Sequence, residues 1–166
     1  MMDQLSRLAA DDAGASAAEL ALVTPLLLVL MAACFEMGNY FLNEHIVQKA
    51  ARDAARYAAR LPIASYPSCT VPDPALTQIR NVARTGRPDG TNSNRIHSWT
   101  DPTMTTVAVA CDTSGTYAGV FEDFPDGVPV VTVTATVPYA SLWGTLGFGS
   151  IGLNVFGRSQ AAVFGA

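Results

Sequence analysis

Few side chains in this sequence could do chemistry, and one stands out by its surroundings. Glu19 sits at the edge of the run Leu20 to Phe35, LALVTPLLLVLMAACF, which carries no charge. A carboxylate in so apolar a segment is costly to keep ionised without a partner. Two uses suit it: ion pairing inside an apolar bundle, or snorkelling to headgroup level, which its place near the start of the run permits. Three cysteines come next. Cys34 lies inside the apolar run, whereas Cys69 and Cys111 lie in polar-flanked sequence downstream. A Cys69–Cys111 bond would close a loop of about 40 residues and add on the order of 4 kcal/mol by chain entropy in an oxidising compartment. The alternative is two buried thiols acting as small hydrophobes. His45 and His97 have neither metal-ligand nor triad spacing, and no Gly-rich phosphate loop or CxxC is present. Glu122, Asp123 and Asp126 read as a solvated acidic turn, since the other ligands of a Ca²⁺ loop are missing. This inventory speaks against an enzyme, and it implies no metal and no cofactor.

The elements that carry these residues follow from patterning. About 20 apolar residues at ~1.5 Å rise cross the ~30 Å hydrocarbon core, so Ala15 to Phe35 has the length of a membrane helix and the lipid bilayer is its expected partner. A soluble core helix is rarely apolar on every face. Pro25 is tolerable within such a helix and predicts a mild kink. From Glu44 to Arg60 the sequence is alanine-rich, and Lys49, Arg52, Arg56 and Arg60 recur at three- and four-residue intervals on one helix face. That stripe suits a solvated face or subunit packing, with contact to anionic headgroups a further option. The residue types favour a helix continuing to Leu61-Pro62, with Gly38-Asn39 its weak point. Unbroken, it would be roughly 70 Å long.

Composition agrees with a membrane segment plus one small domain. Of 166 residues, 49 % are hydrophobic and 14 % charged, against about a quarter charged in ordinary domains. The net charge of −4 excludes the basic footprint of a nucleic-acid binder. Downstream, Leu61 to Pro74 with its four prolines reads as a connection. Pro74 to Arg84 predicts a short helix capped by Asp73, with Leu76, Ile79, Val82 and Ala83 on its apolar face. Thr85 to Asn94 is a polar loop. Strands are predicted over Thr105 to Cys111, over Val130 to Val137, and within Leu153 to Phe164. The fold class is therefore α+β, a long N-terminal helix followed by a small domain with an antiparallel sheet. Ala140 to Phe156 lacks charge, but its four glycines argue against a second span. Within it, Trp143 and Phe148 either cover the sheet or form a contact for partners or membrane.

Three readings of the apolar helix compete. A secretory signal wants a basic start, whereas residues 1–14 hold Asp3, Asp11 and Asp12 against Arg7. Leu30-Met-Ala-Ala-Cys34 resembles a bacterial lipobox, which would make Cys34 a lipidated N-terminus anchoring a periplasmic binding module. The third reading turns on residues 14–20, GASAAEL. Here the chain resembles type IV prepilins, and more narrowly the TadE-like pseudopilins of tight-adherence (Tad) pilus systems. Gly14, the small residues Ala15 to Ala18, Glu19, the leucine-rich stretch with its early proline, Glu36-Met-Gly and AARDAARYAAR carry the resemblance over residues 14 to 60. The acidic leader departs from the family's basic one, and Leu20 stands where an aromatic is common.

The resemblance implies a pilin-like division: residues 1–14 a leader cut by a prepilin peptidase between Gly14 and Ala15, residues 15–61 the membrane and projecting helix, and residues 62–166 an extracytoplasmic domain. It further implies that Glu19 pairs with the new α-amino group of Ala15 on a neighbouring subunit. The expected function is that of a minor pilin or pseudopilin in the bacterial inner membrane, its C-terminal domain in the periplasm or carried into a pilus. Its partners would be other pilin subunits and the assembly platform.

Overall fold

The computed structural model describes residues 12–112, 127–144 and 152–165. Its first element is a single helix, α1 (Asp12–Arg60), which starts slightly before the predicted Ala15 and passes through Pro25 and Gly38 without a break. Chain packing nevertheless divides the molecule inside this helix, into a unit ending at Gly38 and a unit from Asn39 to Ala166. Composition explains the division. Up to Phe35 the helix is leucine-rich with no buried face, whereas beyond Asn39 alanines present a flat side on which other elements can lie.

In the first unit the apolar side chains are exposed all round the helix, Leu22 by 79 %. Among the described residues this is the one helix long and apolar enough to cross a membrane. Exposing such a surface to water forfeits roughly 25 cal/mol per Å², so lipid or protein must cover it. The Thr24 hydroxyl donates to the Leu20 carbonyl at 2.6 Å, which keeps the polar group satisfied within the helix itself.

In the second unit, the 3₁₀ turns Ile63–Ser65 and Pro67–Cys69 make the proline-rich connection. They lead to α2 (Ala75–Thr85), then to a 3₁₀ turn at Pro102–Met104 and to strands β1 (Thr105–Asp112), β2 (Val128–Pro138) and β3 (Asn154–Ala162). The sheet is antiparallel in the order β1-β2-β3, so the α+β expectation holds and each predicted strand is present. Pro74 lies just before α2 rather than within it, and Asp73 still supplies the acceptor for the helix start, bonding the Thr77 N–H at 3.1 Å. Ile79, Val82 and Ala83 are buried as predicted; Leu76 is half-buried, and Ala75 and Thr85 complete the inner face. The helix ends at Gly86, whose φ of 82° suits glycine and whose N–H bonds the Val82 carbonyl.

The core forms where the alanine side of α1 meets the sheet. Val47, Ala50, Ala54, Ala55 and Ala58 join Val131, Val133, Ala135 and Val137 of β2, Val155 of β3, Ile79 and Val82 of α2, and Trp99. Small residues let helix and strand approach closely. A Cβ on Gly157 would stand 2.6 Å from the Val47 carbonyl oxygen, a contact that backbone cannot yield. Gly157→Val should therefore cost about 1–3 kcal/mol by overpacking, read as a lowered thermal midpoint of the detergent-solubilised chain. Alternate backbone groups of β3 turn to the helix as well. Tyr40 donates to the Asn154 carbonyl and Gln48 to the Phe156 carbonyl, while the Phe164 N–H bonds the Ala59 carbonyl at 2.9 Å. The helix thereby covers an edge that would otherwise be open to strand pairing.

Candidate functional site

The candidate site is α1 itself, read from its N-terminus. Gly14, Ala15, Ala18 and Glu19 are all exposed in the first turns. A Cβ at position 14 would meet no atom within 4 Å among the described residues. Among the described residues no cation forms a salt bridge with Glu19; the pairs are Arg87–Asp89 and Arg95–Asp53.

Cys34 is exposed, in the interior of α1. The other two cysteines are bonded: Cys69 and Cys111 form a disulfide between Cα atoms 5.7 Å apart, closing 42 positions of sequence. The bond fastens the proline-rich connection to the end of β1.

Farther along α1, Lys49, Arg52, Arg56 and Arg60 are all exposed, on the side away from the buried alanines at 50, 51, 54, 55, 58 and 59. The four share a face as the spacing predicts. Asp53 turns elsewhere, to Arg95 at 3.0 Å, and so leaves the stripe without its nearest acid. Tyr66 anchors the end of the helix, its hydroxyl donating to the Ala58 carbonyl at 2.6 Å. Burial, with Tyr57 adding a smaller effect, pushes that hydroxyl up to about 12, so it remains a donor across ordinary pH. Tyr57 donates to Gln78 of α2.

His45 and His97 are exposed and far apart in sequence. Among the described residues no three His, Cys, Asp or Glu side chains gather as a metal site would require. Glu122, Asp123, Asp126 and Phe148 lie outside the described residues, as does most of the leader; Trp143 is half-buried. Patterning did not reveal Trp99, Tyr66 or the Asn39–Tyr40–Tyr139 contacts. No local signal marks them: the tyrosine contacts join partners 8 to 100 positions apart, and no alternation flags Trp99 as core.

The family model described as TadE-like protein matches residues 14–56. No curated relative and no solved structure matches the chain. The match spans the exposed apolar helix, Glu19 and most of the basic stripe, and it stops within α1. Over this segment the chain is similar to TadE-like proteins of Tad pilus systems.

Proposed function

We propose that this protein is a pseudopilin or minor pilin that takes part in the assembly or structure of a Tad-type pilus. The observation that carries the reading is α1: one helix, TadE-like over residues 14–56, that is apolar and exposed up to Phe35 before it becomes the alanine-lined core helix of a small domain. A structural subunit uses such a helix twice, as a membrane anchor and as a packing surface.

In this reading a prepilin peptidase cuts between Gly14 and Ala15, and the chain sits in the bacterial inner membrane with its C-terminal domain in the periplasm. An oxidising compartment there suits the Cys69–Cys111 bond. Exposed Gly14 supplies the small residue at the cut. Once Ala15 is the N-terminus, its ammonium and the Glu19 carboxylate of a neighbour neutralise each other in the apolar bundle, removing two charges that hydrocarbon would otherwise penalise. Lys49, Arg52, Arg56 and Arg60 present a cationic face to adjoining subunits or the assembly platform.

The test is Glu19→Ala in the pilus-forming host. Trimming should proceed as in the parent, since the cut bond lies elsewhere, while assembled pili should fall sharply. Normal pilus numbers in the variant would refute the pairing role. Glu19→Asp, which keeps the charge but shortens the reach, should give an intermediate yield.

A further inference from the structure

The domain from Asn39 onward keeps its exposed apolar side chains largely at one end. Among its described residues six large apolar side chains are exposed: Phe41, Leu42, Leu142, Leu153, Phe156 and Phe164. One set of contacts joins the three segments that carry the first five. The Asn39 side-chain amide donates to the Tyr139 hydroxyl at 2.9 Å and the Ala140 carbonyl at 3.4 Å. The Tyr40 ring meets that of Tyr139 edge-on at 5.2 Å, and its hydroxyl donates to the Asn154 carbonyl at 3.3 Å. The Tyr139 N–H bonds the Leu153 carbonyl at 2.9 Å. Residues 39–42, 139–142 and 153–156 therefore form one end of the domain, and its five apolar side chains are each 47–59 % exposed.

This is also the end at which the chain arrives from the apolar run, Phe35 preceding Asn39 by four residues. We infer that this end of the domain rests on the lipid surface, with Phe41, Leu42, Leu142, Leu153 and Phe156 in the headgroup boundary. The inference rests on α1 spanning a membrane. Chain continuity argues for lipid as the occupant, because a domain tethered by so few residues meets the bilayer at far higher effective concentration than any soluble partner. Side-chain chemistry agrees. Exposed leucine and phenylalanine side chains are those an interfacial segment buries at the boundary between headgroups and acyl chains. The five side chains carry no charge, so their contact with lipid is apolar and needs no anionic headgroup.

The experiment uses the full chain in zwitterionic phosphatidylcholine vesicles, with Cys34→Ser as background and the disulfide intact. Spin labels are placed one at a time through Leu142→Cys, Leu153→Cys, Leu27→Cys and Ser93→Cys, all exposed positions. Collision with oxygen, which concentrates in lipid, is compared with collision with a water-soluble nickel chelate. The oxygen-to-nickel ratio at 142 and 153 should be several-fold higher than at 93 and approach that at 27. Ratios at 142 and 153 equal to that at 93, with 27 in lipid, overturn the surface contact while leaving the membrane span standing. Exclusion of both reagents from 142 and 153, with dipolar broadening between labels, means that a second copy covers this end and likewise overturns it. A water-like ratio at 27 removes the span and the inference with it.

Discussion

Trp99→Ala should destabilise the domain by about 3–5 kcal/mol, as loss of a large buried aromatic does. Trp99 is fully buried among the residues of the α1–sheet core. It shares that core with alanines of α1, short side chains that cannot swing into a void as longer ones would. Domains of this size are typically stable by about 5–15 kcal/mol, which places the variant near its unfolding threshold. Among the described residues the indole N–H finds no acceptor, so it is ring volume that matters. Trp99→Phe, which keeps most of the ring and removes that unmatched donor, should lose much less. Chemical denaturation of the detergent-solubilised chain, followed by circular dichroism, checks both. Equal losses for Ala and Phe would mean that the indole nitrogen has a role that packing does not reveal.

The second large effect is expected from the disulfide. Closing 42 positions of chain removes unfolded-state entropy worth about 4 kcal/mol, so Cys69→Ser with Cys111→Ser, or reduction of the parent, should lower stability by up to that amount. The bond lies between an irregular segment and the last part of β1, a strand paired on one side only within the described sheet. Part of its gain is offset: Ser68 and Cys69 both hold left-handed backbone, with φ of 51° and 58°, which non-glycine residues adopt at a cost of about 1 kcal/mol or more. Release of that strain on reduction brings the net loss below the chain-entropy figure. Denaturation with and without reductant reads the difference; an unchanged midpoint would show that the bond does not constrain the unfolded chain.

What the sequence made legible follows the range of the signal. The membrane-length helix, the three strands and the face of α2 are local patterns, and each is where its periodicity predicts. The Cys69–Cys111 pair was legible by context, because Cys34 belongs to the apolar run. Gly14 and Glu19 stand out only as a motif, and among the described residues both are exposed. Other features lay beyond local reading. Trp99 stands between Ser98 and Thr100 with no alternation to mark it as core. The packing boundary at Gly38 falls inside a continuous helix, since the chain changes what covers it without changing its backbone. The apolar end of the domain joins segments some 100 positions apart, and singly each leucine or phenylalanine there is unremarkable.

The central claim is that α1 begins life behind a removable leader and serves as an assembly helix. Intact mass of the protein extracted from the membranes of its pilus-forming host tests it most directly. The account predicts a mass lacking residues 1–14, with Ala15 as the new N-terminus, and the full-length mass for Gly14→Val. A full-length mass in the parent, normal trimming in Gly14→Val, or a lipid adduct on Cys34 with everything before it removed would contradict it.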